Sequence, residues 1–443
     1  MKAIAHFLGR LDDPIRFARN QIWVMAVVVL AHALVLLAFW EDWDWQHGGT
    51  TDQWDDLCFN LVDTHTLGFH PSQPTVMRGP LFPVMEAPLY LAFGKNYVAW
   101  SICLLLLNVF TTYLLIATVR SLWGARTALL AGFAYGLNLA IIYYTAKVSQ
   151  VTSVLPLVVL WLYLMTRWEQ SFASKWLPWV LGLVTGLMFL NKTVYLPVPI
   201  FSAMLLVWLR RKQIRSLAQL APVAVYFAAT ALVVAPWTCR NFVVTKGKFI
   251  PVQNMFWELL VQDVLYYELD ETDDQDRPDG KLQDYFRAKQ DAILVAHGVP
   301  PEAPPGAERP VWEVRKEAAY RAGALDLMRS DLPRLAKIKV SNLWHFWVRA
   351  ENSRKTRLFI AMQAGPLLAG LAGLWLLIRH RQIDRAKFAL ILIAVLWGEH
   401  CIVWGWGRLS LDLMPAFALV FGLGITAWIE SRAASDGLAR SMG

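Results

Sequence analysis

Ten apolar runs, each close to the thickness of a bilayer, limit what this chain can fold into. They lie near residues 21–40, 97–118, 127–143, 148–166, 177–191, 194–209, 217–236, 358–378, 387–404 and 411–429. A membrane-crossing helix needs roughly 20 mostly apolar residues. Ten of them still leave about 250 of the 443 residues outside the bilayer. Composition agrees: 56% of residues are hydrophobic and 17% charged, where a soluble domain carries about 45–50% and about 25%. An ordinary soluble enzyme is excluded, and so is a disordered chain, which could not hold this much apolar surface in water. The expected fold is an all-α polytopic membrane protein: a bundle of about ten transmembrane helices, juxtamembrane helices and a small outer cap. The pair 177–191 and 194–209, interrupted only at Asn191-Lys192-Thr193, reads as two spans joined by a tight turn. No A-x-A cleavage site follows Gln21–Trp40, so that run is expected to stay as an anchor.

The net charge of +8 finds its first explanation in the positive-inside rule, ahead of any nucleic acid partner. Basic residues recur in alternate connections: Lys2, Arg10, Arg16 and Arg19, then Arg120 and Arg126, then Arg167 and Lys175, then Arg210-Arg211-Lys212 and Arg215. Arg379, Arg381, Arg385 and Lys387 follow, and finally Arg432 and Arg440. Ten spans place all of these on one side, expected to be the cytoplasm, with both chain ends there. The 22 Trp suit the boundary between lipid and water. Cys58, Cys103, Cys239 and Cys401 lack the close spacing of a zinc or redox motif. Cys103 reads as a packed thiol, while a Cys58–Cys239 disulfide requires both to face an oxidising compartment.

The other side receives two longer segments. Residues 41–96 are acidic at first and turn apolar after Pro80, where a short helix along the membrane surface is expected. Residues 237–357 hold an acidic stretch, ELDETDDQDRPDG, a Pro-rich loop, GVPPEAPPGAERP, and helical patterns over 281–297 and 311–328. Asp52, Asp55 and Asp56 are spaced to share one helix face; the plain reading is a solvated acidic first turn. Four cations stand at outer helix ends: Lys147, Lys192, Arg240 and Arg408. Snorkelling explains any one of them. Four on the face opposite the basic loops point to an anion held at the outer surface. Together with the carboxylates they suggest a phosphate-bearing lipid beside a catalytic base. No internal repeat suggests a transporter built from inverted halves.

The order of these motifs is similar to that of a known family. Asp52, an apolar helix, Arg78-Gly79-Pro80-Leu81-Phe82-Pro83 and Phe93-Gly94-Lys95-Asn96 resemble the first outer loop of bacterial C-type glycosyltransferases. These form the dolichyl-phosphate-mannose protein mannosyltransferase superfamily, which includes the lipid A aminoarabinose transferase. YYTAKVSQ, the Pro-Trp-x-x-Arg-Asn box at Pro236–Asn241, the helix EVRKEAAYRAGALDLMRSDLPRLAKIKVSNLWHFW and GRLSLDLMP extend the resemblance over about 20–430.

The resemblance implies a C-type bundle and an inverting transfer. A sugar would pass from a polyprenyl-phosphate donor, undecaprenyl phosphate in bacteria, to a hydroxyl on a lipid, glycan or protein. The site would face the periplasm from the inner membrane. Asp52 falls on the family's catalytic Asp, with Asp55 and Asp56 as the other candidates for the base. Lys192, Arg240 and Arg408 become candidates for the donor phosphate, with Lys147 and Arg78 behind them. Tyr143, Gln150, Trp237 and Asn241 fall in the matching boxes and become substrate-binding candidates. No nucleotide or other cofactor is implied, and many members work without a metal. Two positions depart from the pattern: Gln150 stands where a Glu is usual, which weakens a divalent ion, and Asp55-Asp56 replace the usual Tyr. The expected division is a transmembrane module over 1–236, an outer cap over 237–357 and closing helices over 358–443. A lipid-linked substrate flippase and a non-catalytic family member are the competing readings.

Overall fold

The structure, a computed structural model, describes residues 14–38, 53–271, 279–350 and 353–441. Among them every regular element is a helix, apart from one isolated bridge between His70 and Gln73. The chain runs through α1 (Pro14–Ala38), two short helices α2 (Trp54–Thr64) and α3 (Leu81–Phe93), and then α4 (Tyr97–Trp123). Helices α5 (Ala125–Gly136) and α6 (Leu139–Ala146) follow, then α7 (Val151–Gln170), α8 (Leu177–Asn191), α9 (Pro197–Arg210) and α10 (Ala221–Val244). Four helices form the cap: α11 (Phe256–Glu271), α12 (Asp279–Ala296), α13 (Arg309–Ser330) and α14 (Leu332–Val348). The chain closes with α15 (Ser353–Arg379), α16 (Lys387–Val403) and α17 (Met414–Ser441).

Eight helices among the described residues are long and apolar enough to cross a membrane. A ninth crossing counts α5 and α6 as one span bent by 53°. The bend falls at Leu137–Asn138, where the Asn138 side chain accepts from the Ile141 N–H and starts a new helix. The expected span at 177–191 is a 15-residue helix, about 22 Å long, and is short for a crossing by itself. Lys192 breaks it in extended conformation (φ −143°, ψ 131°), and a 3-10 turn, Thr193–Tyr195, leads into α9. Both helices of the pair exist, yet α8 packs mainly on α7 and α10.

Burial sorts the helices by their surroundings. In α1 only 17% of the apolar window is buried, against 83% in the segment Gly407–Ala434. The first presents Ile22, Trp23 and Leu30 outward, as a lipid-facing helix does; the second is the axis of the bundle. Gly373 and Gly424 allow α15 and α17 to touch backbone to backbone, the small-residue contact that holds membrane helices together.

The two ends of the bundle differ. The ends of α7 and α9 and the start of α16 meet through Glu169, Arg210 and Lys387, and Arg385 pairs with Glu430 at 3.0 Å. The cap sits at the opposite end. Leu260, Leu294, Trp312 and Tyr320 form its own small core. Helix α14 ties it to α16 through Phe346 on His400 and Trp347 on Trp397. Cys58 is fully buried between α2 and α3, Cys239 is exposed, and both are free thiols. The disulfide admitted by the sequence is not formed.

Candidate active site

A cavity of about 790 Å³ lies at the cap end, walled by both bundle and cap. Six cations line it: Arg78, Lys192, Arg309, Lys316, Lys355 and Arg408, against the carboxylates Glu258 and Glu399. Lys192, Lys316 and Arg309 are held by carboxylates. Lys192 Nζ donates to both Asp412 oxygens, at 3.0 and 2.8 Å, and Tyr195 adds a third bond to that carboxylate at 3.0 Å. Lys316 reaches Glu258 at 3.2 Å, and Arg309 reaches Glu313 at 3.1 Å.

Arg78 is different. Its guanidinium lies over Trp54 and Phe69, 5.5 and 5.9 Å from the ring centres, and one Nη donates to the Met255 sulfur. Its buried Nε has no hydrogen-bond partner. Phe69 also faces Arg309 at 5.4 Å, so two guanidinium groups share one ring. The backbone at Gly79 presses against the end of α8: a Cβ there would stand 2.3 Å from the Leu190 carbonyl oxygen. Arg78 and the Lys192 break are therefore held together by main chain.

The sequence candidates divide. Arg78, Gln150, Lys192 and Arg408 come together on the cavity wall. Gln150 is held there by a 2.5 Å bond from its amide to the Asn191 carbonyl. Arg240 lies elsewhere and is engaged with protein: it donates to the carbonyls of Thr75 at 2.7 Å and Leu67 at 3.2 Å and to Asn241 Oδ1. Asn241 in turn holds the carbonyls of Ile250 and Val252, and Trp237 Nε1 holds Val252 as well. The Pro-Trp-x-x-Arg-Asn box thus clamps two loops onto α10. Lys147 and Tyr143 also fall outside the cavity wall, the ammonium 5.1 Å from the Tyr143 ring.

Of the three aspartates, Asp52 lies outside the described residues. Its neighbours Gln53 and Trp54 line the cavity. Asp55 is buried and accepts from Tyr97 Oη at 2.5 Å. It faces the α2–α3 interior, where the enclosed Glu86 carboxyl is held well above the usual carboxylate range by burial and then by Asp55. Asp56 is half-buried and also raised, by burial first and by Asp55 second. Neither Asp55 nor Asp56 lines the cavity.

Sequence reasoning missed several wall residues. Glu399 and His400 sit inside an apolar run as isolated polar residues of α16. Arg309, Lys316 and Lys355 belong to the cap and to the start of α15, far along the chain from the motifs. Trp404 and Trp406 lie 5.1 Å apart, and Trp406 lies 4.8 Å from Tyr266. Buried Asp263 positions this turn: it accepts from the Gly405 N–H, from Asn342 and from Lys339.

Residues 74–238 match the family model described as dolichyl-phosphate-mannose-protein mannosyltransferase. The chain is similar in fold to the archaeal oligosaccharyltransferase AglB from Archaeoglobus fulgidus, solved with an inhibitory peptide and a dolichol-phosphate. The TM-score is 0.51 at 14% identity, covering 96% of this chain and 52% of that one. The fold is that of a C-type glycosyltransferase. The apo form of the Archaeoglobus fulgidus oligosaccharyltransferase matches at a TM-score of 0.50 with the same 14% identity, over 95% of this chain and 52% of that one. The chain spans about half the length of the solved structures it matches. No curated protein matches it. The C-type bundle expected from the motifs is therefore present, with the family match falling on the loop that carries Arg78 and ending on the box that carries Arg240.

Proposed function

We propose that this chain is an inverting glycosyltransferase. It moves a sugar from a polyprenyl-phosphate donor, undecaprenyl phosphate in a bacterial inner membrane, to a hydroxyl of a lipid, glycan or protein on the periplasmic side. The observation that carries this reading is the cation-rich cavity at one end of an apolar bundle, with Gln53, the residue after Asp52, on its wall. A carboxylate takes the proton of the acceptor hydroxyl while its oxygen attacks the anomeric carbon. The bond from that carbon to the donor phosphate breaks, configuration inverts, and the phosphate leaves with growing negative charge. Fixed cations stabilise that charge; Arg78 and Arg408 are assigned to it, with Lys192 and Lys355 beside them. Asp52 is the proposed base. Its support over Asp55 and Asp56 is that its chain neighbours line the cavity while those two do not. Residues 237–357 close over the donor as a cap, and the lipid tail of the donor lies along the bundle.

The test is transfer by purified full-length protein from a panel of polyprenyl-phosphate sugars, wild type against Asp52→Asn. Turnover is expected to fall about 10²–10⁴-fold, the usual contribution of a general base, with helix content and polyprenyl phosphate binding retained. Near-normal turnover in the variant returns the role to Asp55 or Asp56. A wild type that transfers nothing from any polyprenyl-phosphate sugar overturns the donor class.

A further inference from the structure

Three buried atoms with no hydrogen-bond partner belong to residues of the cavity wall: Arg78 Nε, Glu399 Oε2 and Trp404 Nε1. A buried polar atom without a partner asks for an explanation, and at a cavity wall a polar ligand is one. Arg78 belongs with the phosphate cations. Glu399 and Trp404 have no part in the mechanism above.

Glu399 lies near the end of α16, at the depth of a membrane helix, where a carboxyl needs a reason. His400 Nδ1 stands 3.8 Å from its Oε2, beyond hydrogen-bond reach. Trp404 supplies an indole N–H, and its ring, with Trp406 and Tyr266, forms an aromatic patch on the same wall. Arg408 follows a few residues on. One short stretch, Glu399–Arg408, thus offers a hydroxyl acceptor, an N–H donor, aromatic faces and then a cation.

A sugar ring asks for these groups. Its hydroxyls donate to a carboxyl and accept from an indole N–H, and its C–H face packs on aromatic rings. In a polyprenyl-phosphate sugar the ring is one bond from the phosphate, so its subsite must adjoin the phosphate cations. We propose that Glu399 and Trp404 read the hydroxyls of the donor's sugar, and that they set which sugar is accepted. The inference rests on the donor-phosphate reading above and deepens it.

The experiment compares two ligands, polyprenyl phosphate without a sugar and the sugar-bearing donor, on wild type, Glu399→Gln and Trp404→Phe. Glu399→Gln, which keeps one acceptor oxygen and puts an NH2 donor in place of the other, is expected to weaken the sugar-bearing donor roughly ten- to a hundred-fold. Polyprenyl phosphate should bind as before. Trp404→Phe, which keeps an aromatic face and removes the N–H, should weaken the same ligand by a smaller factor of about three to ten. In turnover, donor KM rises while acceptor KM holds, and a donor lacking one ring hydroxyl is discriminated against less. Unchanged affinity for the sugar-bearing donor in both variants, each folded by its thermal midpoint, overturns the inference. A rise confined to acceptor KM assigns the subsite to an acceptor glycan and overturns the donor assignment. Loss of kcat without a change in KM makes Glu399 a reacting group and also overturns it. If wild type binds neither ligand, the donor reading fails by itself and this inference falls with it.

Discussion

The two ends of the bundle carry similar kinds of charge and use them differently. At the end away from the cap, Arg385 and Glu430 pair at 3.0 Å with side chains 40% and 43% exposed. At the cap end, Lys192 and Asp412 pair at 2.8 Å with side chains 11% and 1% exposed. The first pair trades water for a neighbour at little gain, because exposed ion pairs are worth about 0–1 kcal/mol. The second holds charges that cannot return to water, and it borders a cavity where further cations crowd together. Basic residues at the open end need only be on the right side of the membrane. Those at the cap end need an exact set of neighbours, which is the mark of a site.

The largest effect that tests this contrast comes from Asp412. Asp412→Asn strips the buried Lys192 ammonium of its counter-charge, and breaking a buried pair from one side costs about 3–5 kcal/mol. The thermal midpoint of the detergent-solubilised protein should fall sharply; an unchanged midpoint breaks the contrast. Next is Glu317 in the cap. Its carboxyl accepts the backbone N–H groups of Trp257 at 2.6 Å and Glu258 at 3.2 Å. Burial, and after it the Glu258 carboxylate, outweigh these bonds and push it from 4.5 up to about 7. A carboxyl raised on folding contributes stability that is whole below its unfolded value and is lost as pH rises through the folded one. Cap stability should therefore decline between about pH 4.5 and 7, by an amount of the order of 3 kcal/mol. Hydrogen exchange at the start of α11 measures it, and Glu317→Gln should flatten the profile.

A smaller effect separates two arginines that the sequence ranked in the other order, Arg240 ahead of Arg78. Arg78→Ala should weaken polyprenyl phosphate about ten-fold or more, as loss of a charge-assisted bond does, with little change in thermal midpoint. Arg240→Ala should leave that affinity within about two-fold and instead free the loop around Leu67–Thr75, at a cost of about 1–3 kcal/mol for the carbonyls left unpaired. Limited proteolysis reads the loop; reversed phenotypes would exchange the two roles. Smallest of all, Arg385→Ala at the open end should move the midpoint by no more than about 1 kcal/mol.

Much of the architecture was legible because apolar periodicity is written residue by residue. Among the described residues each apolar run is largely helical, the run at 127–143 as two helices, and the short helix expected after Pro80 is α3. The break at Leu137–Asn138 was hidden inside a run whose apolar residues continue across it, and only the capping role of Asn138 marks it. In the candidate site the local motifs were legible to this extent: Arg78, Gln150, Lys192 and Arg408 all line the cavity. Sequence reasoning failed at Arg240 because a cation at a helix end looks the same whether it faces carbonyls or a ligand; the number of carbonyls within reach decides, and those come from Leu67 and Thr75. It failed at Glu399 because a single carboxyl in an apolar run has no pattern, and at Arg309, Lys316 and Lys355 because tertiary packing alone brings them to the wall.

The glycine at 79 has a consequence for how this site could change over time. Its backbone touches the carbonyl end of α8, and even a methyl group has no room there. The spacing between Arg78 and the Lys192 break is thus a property of the main chain, beyond the reach of side-chain exchange on either residue. The half of the site built this way is fixed. The half around Glu399 and Trp404 is made of side chains that can be swapped one at a time. Diversification, natural or engineered, would keep the anion-holding frame and search new specificities among those side chains.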